Sequence, residues 1–151
     1  MRPQPTAPAV VVIGYGNDLR GDDGIGPFLA GAVAERGWPH VRALAVHQLT
    51  PELAEALAGA RRAVFIDARA GPDGKPVEVL PIMPGGPGGA ASHVGDPRVL
   101  LGMARELYGR APAAWWVTVA GHHFGLGQEL SAQARANCQR ALAEIELLVR
   151  E

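Results

Sequence analysis

Alternating strand-like and helix-like segments predict one three-layer α/β/α domain built on a mainly parallel five-stranded sheet. Three observations carry that expectation. Continuous apolar runs such as Val10 to Ile13 and Ala63 to Ile66 have the pattern of strands buried on both faces. Helical segments separate the strands, which implies right-handed crossovers and helices on both sides of the sheet. The 151 residues amount to one ordinary domain, able to bury roughly 70% of its unfolded surface without staples.

The elements follow in order. Val10 to Ile13 is the first strand, and the polar, glycine-rich stretch from Gly14 to Gly24 is a long loop. A helix begins with Pro27 near its first turn, carries Phe28, Leu29, Ala32 and Val33, and ends at Gly37. Val41 to Val46 is the second strand. Thr50-Pro51-Glu52 reads as an N-cap, a first-turn proline and an acid, opening a helix with Leu53 and Leu57 that stops at Gly59. Ala63 to Ile66 is the third strand, ending in Asp67. Gly71-Pro72-Asp73-Gly74 is a turn, and Val77 to Leu80 the fourth strand. Pro81 to Ala91 is a Gly/Pro-rich loop, long for a compact domain. Asp96-Pro97 opens a helix with Leu100, Leu101, Ala104 and Leu107 on one face, closed by Gly109. Trp115 to Val119 is the fifth strand. Ser131 caps a last helix whose stripe runs Ala134, Cys138, Leu142, Ile145, Val149. Residues 1–9 read as a disordered lead, and 10–151 as the single domain.

Composition removes whole classes of function. The net charge of −1 leaves no basic surface for a dedicated nucleic-acid binder. No apolar stretch approaches the ~20 residues of a membrane span, and Met1 to Pro8 lacks the apolar centre of a signal peptide. Cys138 is the one cysteine, unable to form an internal disulfide and suited to a reducing compartment. The expectation is a soluble cytoplasmic protein with no nucleic-acid or membrane partner.

In parallel sheets, sites form in the loops at the carboxyl ends of the strands. Asp22 and Asp23 lie in the first such loop, Asp67 at the end of the third strand, and His93 at the end of the loop after the fourth. Two carboxylates and an imidazole from separate strand ends suit a divalent cation with positions left open for water or substrate. Plainer readings stand beside this one. Asp22 has the position of a helix N-cap, Asp67 that of a turn former, and His93 that of a solvated loop residue. His122 and His123 follow the fifth strand. Being adjacent they make a poor chelate, so they are solvated loop residues or substrate contacts.

Other chemistries fit less well. Gly14-x-Gly16 after a strand opens like a dinucleotide fingerprint, but Leu19 takes the third glycine position and no acid ends the second strand, where His47 and Gln48 stand. There is no Gly-x-Ser-x-Gly elbow for Ser92 or Ser131, and Cys138 lies on an apolar stripe that marks it as core.

The stretch Gly14-Tyr15-Gly16-Asn17-Asp18-Leu19-Arg20-Gly21-Asp22-Asp23-Gly24-Ile25-Gly26 resembles the GxGNxLxxDDGxG signature of the hydrogenase maturation proteases. The resemblance continues in His47-Gln48-Leu49-Thr50-Pro51-Glu52-Leu53, Val64-Phe65-Ile66-Asp67-Ala68, Ser92-His93, Phe124-Gly125-Leu126-Gly127 and Leu130-Ser131, in order from Val10 onward. It implies an α/β/α sandwich around a twisted five-stranded sheet. The implied activity is a hydrolase: a metal-assisted endopeptidase that removes a C-terminal extension from a nickel–iron hydrogenase large subunit after nickel insertion. Carried over by position, Asp23, Asp67 and His93 are the metal-contacting and catalytic residues, Asp23 standing where several members have Glu. Asp22 is then a helix-start or supporting residue. Nickel would arrive with the precursor rather than reside in the enzyme. Hydrolysis would use Lewis-acid polarisation or a metal-generated hydroxide, with Asp23 or Asp67 available as base. Asn17 and the glycine-loop amides are the candidates for holding the substrate backbone or the oxyanion, while His122 and His123 are candidate substrate contacts only by their place at the same sheet edge.

Three other functions fit parts of the same sequence: a nickel-checkpoint binding protein that does not hydrolyse, a phosphate- or nucleotide-binding domain using Gly14 and Gly16, and a peptidase acting on a different precursor.

Overall fold

Val10–Tyr15 forms β1, Ile25–Arg36 α1, Val41–Val46 β2, Leu53–Ala58 α2 and Arg62–Ala70 β3; Val77–Ile82 forms β4, Pro97–Tyr108 α3, Ala113–Gly121 β5 and Ala132–Arg150 α4. The computed structural model describes residues 8–71, 74–85, 95–127 and 129–150. The sheet order is β2-β1-β3-β5-β4. β2, β1, β3 and β5 run parallel, while β4 pairs antiparallel with β5. This is the α/β class the sequence predicts, with one edge strand reversed.

Period-two alternation divides the apolar residues between two layers. Val10 and Val12 of β1 join Leu29, Val33, Cys138 and Ile145 on the α1/α4 side. Val11, Ile13 and Tyr15 join Leu57, Phe65, Leu100 and Leu101 on the α2/α3 side. The α4 stripe is Ala134, Cys138, Ala141, Ile145 and Val149; Leu142, expected there, is half-buried beside it. Phe28 and Leu107, also expected inside, are 49% and 67% exposed, at the rim of α1 and in the last turn of α3. α2 has only six residues, too short to cover that turn.

Cap chemistry is confirmed at two helices. The Asp96 carboxylate accepts from Arg98 N–H at 2.9 Å, and Ser131 Oγ accepts from Ala134 N–H at 3.1 Å. Thr50 corrects the expectation: α2 starts later, and Thr50 contributes its backbone carbonyl to Leu53 N–H rather than a side-chain cap. The proposed lead falls mainly outside the described residues, but the Ala9 carbonyl already accepts from Arg61 and Arg62 N–H. No helix among the described residues is long and apolar enough to cross a membrane.

The reversal of β4 matters for the site. Its last residue, Ile82, pairs with Ala114 at the start of β5. The loop after β4 therefore leaves from the opposite edge, not from the carboxyl edge that the sequence argument assumed. The chain is back at the carboxyl edge by Gly95, whose carbonyl accepts from the Tyr15 hydroxyl.

Candidate active site

The connections from β1 and β3 diverge, which makes the gap between their carboxyl ends the topological switch point of the sheet. Asp67 lies there, inside β3 rather than at its end. β1 pairing stops at Gly14 opposite Ile66, whereas β5 pairing continues through Asp67 opposite Thr118 to Ala70 opposite Gly121. Asp67 is thus the first β3 residue that has lost its β1 neighbour, the position at which ligand crevices open in sheets of this topology.

Ala63 and Phe65 face the α2/α3 layer, so alternation turns Asp67 to that side as well, beside Tyr15. Tyr15 is buried, 6% exposed, and donates its hydroxyl proton to Gly95 O at 3.1 Å. The same hydroxyl interacts with the Asp67 carboxylate. Burial drives the Asp67 pKa up to about 6; the Tyr15 hydroxyl and Ala68 N–H pull it back, and the charge of Asp23 pushes it further up. Burial, then the charge of Asp67, pushes the Tyr15 pKa far upward, so this hydroxyl stays a donor. The Trp116 indole N–H points toward it without reaching hydrogen-bond geometry.

Asp23 reaches the same crevice from the first loop. Gly21–Gly24 makes a 3-10 turn before α1, and adjacent side chains leave it in different directions. Asp23 is half-buried, and its Oδ2 accepts from Asn17 N–H at 2.8 Å. Asn17 Oδ1 accepts from Leu19 N–H at 3.0 Å, closing an Asx turn and leaving the Asn17 side-chain amide as donor.

Asp22 turns inward and is fully buried. Its Oδ2 accepts from His122 N–H at 2.7 Å, His123 N–H at 2.9 Å and Ser131 Oγ at 2.7 Å, while Oδ1 accepts from Ser131 N–H at 2.7 Å. Burial raises its pKa, but these bonds outweigh burial and hold the carboxyl below its usual range. It is neither the N-cap of α1, which is Gly24 with no side-chain bond, nor open to a ligand. Because Asp22 takes their amide protons, His122 and His123 sit at the same edge with exposed side chains.

The structure therefore joins Asp23, Asp67 and Asn17 at one edge and places His122 and His123 on the adjoining loop. His93 lies outside the described residues, and among those described no three His, Cys, Asp or Glu side chains gather as a metal-binding set. Tyr15, Thr118 and Glu78 escaped the sequence reading. Thr118 lies opposite both Asp67 and Glu78 in register, so the three form a polar row across β3, β5 and β4. Only pairing register reveals that row. For Tyr15 the signal was its place between the two glycines.

The phosphate reading loses support here. Gly14 and Gly26 let β1 and α1 touch: a Cβ on Gly14 would collide with the Gly26 carbonyl and lie 2.9 Å from Ala30 Cβ. Two carboxylates also precede α1, where a phosphate would need positive potential.

No protein-family model matches this sequence, and no curated protein does. Solved structures do. A [NiFe] hydrogenase maturation protease HycI from Thermococcus kodakarensis KOD1 is similar at TM-score 0.72 and 24% identity, covering 95% of this chain and 94% of that one. HybD, a [NiFe] hydrogenase maturation protease from the same organism, gives TM-score 0.70 at 23% identity, covering 93% and 99%. The hydrogenase maturating endopeptidase HybD from E. coli gives 0.71 at 20%, covering 93% and 91%. The fold of this chain is that of the hydrogenase maturation proteases.

Proposed function

We propose that this chain is a cytoplasmic endopeptidase of hydrogenase maturation, removing the C-terminal extension of a nickel–iron hydrogenase large subunit once nickel is in place. One observation carries the proposal. Asp67, half-buried at the switch point, feels the charge of Asp23 from the loop bearing the GxGNxLxxDDGxG pattern. A like-charged pair in that position gains from a divalent cation brought between its members. The fold likeness supports the same reading.

Nickel belongs to the substrate in this scheme. Asp23 and Asp67 would hold it together with His93, which stands two residues before Gly95 in the sequence. The metal supplies polarisation of the scissile carbonyl. With a pKa near 6 before the metal arrives, Asp67 is largely ionised at neutral pH and ready to receive a cation. Whichever of Asp23 and Asp67 is left free of the metal would serve as base toward the attacking water. The neighbouring Tyr15 hydroxyl favours the charged form of Asp67. The Asn17 side-chain amide is the donor that would hold substrate backbone or the developing oxyanion, and the His122 and His123 imidazoles contact the substrate from the adjoining loop. A lone thiol, Cys138, suits the reducing cytoplasm.

The test uses metal-free enzyme with nickel-loaded and nickel-free large-subunit precursor, followed by mass. Shortening of the loaded precursor only is expected, with little metal in the purified enzyme. Equal cleavage of both overturns nickel as the signal. A stoichiometric complex with no shortened product indicates a checkpoint protein instead, and thermal stabilisation by nucleotides a nucleotide binder.

A further inference from the structure

Asp22 is a buried carboxylate that the reaction above does not use. Removing a carboxylate from water costs several kcal/mol, and here four hydrogen bonds of 2.7–2.9 Å offset it. All of them come from the β5–α4 connection. The backbone binds the same two segments: Asp22 N–H donates to His123 O at 2.7 Å, Gly21 N–H to Gly127 O at 2.8 Å, and Gly127 N–H to Leu19 O at 2.9 Å. Gly21, at φ +55°, has the left-handed conformation this strip requires, and a Cβ there would lie 2.5 Å from the His123 carbonyl oxygen. Ser131 Oγ serves twice, donating to Asp22 and accepting from Ala134 N–H to cap α4. The turn before α1, the His122–His123 segment and the start of α4 thus meet at one carboxylate, with backbone bonds beside it.

Asp23 is the next residue. Its backbone N–H donates to Arg20 O at 3.1 Å, and its carboxylate accepts from Asn17 N–H. Its direction is therefore set by a turn whose only side-chain anchorage on the far side, among the described residues, is Asp22. We infer that Asp22 is the positioning residue of the site, aiming the Asp23 carboxylate at the crevice and fixing the His122–His123 segment beside it. A neutral amide cannot replace it. After Asp22→Asn the side chain has one acceptor oxygen and turns an NH2 group on donors already present.

The site being positioned is that of the proposed function, on which this role rests, but the main readout is independent of it. The Asn17 amide proton reports where the Asp23 carboxylate is, and the His122 and His123 amide protons report Asp22. In Asp22→Asn, folded by circular dichroism and studied well below its melting temperature, the histidine amides should move. Exchange of the Asn17 amide should accelerate about tenfold. Nickel(II) chloride alone should broaden the Asn17 and Ala68 amides only at concentrations roughly tenfold above those needed for wild type. A purely structural Asp22 would lower the melting temperature and move the histidine amides while leaving Asn17 unchanged, and that outcome overturns the inference. If Asp22→Asn does not fold, Ser131→Ala removes one of the four bonds and must move the same three amides in the same direction. Wild-type protein that nickel(II) does not broaden there argues against the proposed metal site; the Asn17 amide still decides the role of Asp22.

Discussion

The Tyr15 hydroxyl donates to the Gly95 carbonyl across 3.1 Å, joining the end of β1 to a residue 80 positions later. The same hydroxyl meets the Asp67 carboxylate, so one phenol fixes both the crevice floor and the start of α3. Tyr15→Phe removes the donor and leaves a part-buried acceptor behind. The expected cost is about 1 kcal/mol in urea unfolding. The pKa of Asp67 should also rise further above 6, since Tyr15 stabilises its charged form; a carbon-13 carboxyl titration would show this. An unchanged Asp67 titration would mean that the hydroxyl serves Gly95 only.

Asp67 itself is held at a cost to stability. Its pKa is about 6 in the fold against an ordinary 3.8. The folded state therefore binds more protons than the unfolded chain between those values, and this group makes the protein more stable as pH falls through 6 toward 4. Above pH 6 the penalty is fully present. Asp67→Asn should raise unfolding free energy at pH 7 by at most about 3 kcal/mol, with no gain near pH 3.5, and should abolish precursor cleavage. Full cleavage by this variant would remove Asp67 from the reaction.

Gly26 marks the closest approach of α1 to the sheet. A Cβ there would lie 2.6 Å from Tyr15 N and 2.7 Å from Ile66 O, backbone atoms that cannot turn aside. Gly26→Ala should destabilise by about 3 kcal/mol. Gly31→Ala on the same helix, whose Cβ meets nothing within 4 Å, should cost nothing and serves as the control. Equal stability of the two variants would contradict this packing.

Cys138 is 2% exposed, and burial, aided by the charge of Asp22, pushes its thiol up to about 12. The native protein should resist thiol reagents at pH 8 and react only on unfolding. Cys138→Ala should cost about 1 kcal/mol and leave cleavage unchanged. Loss of cleavage in a folded variant would bring back a thiol mechanism.

Much of this was legible because local chemistry and global fold agree. The β-branched runs became the inner strands, Asp96 and Ser131 capped their helices, and Gly37 and Gly109 ended theirs in left-handed conformation. What escaped depends on pairing between distant strands. The direction of β4 is not written in Val77–Ile82, since an edge strand pairs with equal chemistry either way. Asp67 read as a strand end because the apolar run stops at Ile66, yet backbone pairing with β5 carries the strand to Ala70. Asp22 looked like a cap for the same reason: its partners are at least 100 residues away.

That separation places the site late in the order of assembly. The donors to Asp22 come from residues 100 to 109 positions downstream, and loop closure over such spans is slow compared with turn or helix formation. A chain being synthesised makes β1, the first loop and α1 long before His122 and Ser131 exist. Until β5 and α4 dock, Asp22 is satisfied by water and Asp23 has no fixed direction. The arrangement of Asp23 beside Asp67 consequently gains this support only when the domain is complete, and a partly made chain carries these residues without the bonds that orient them.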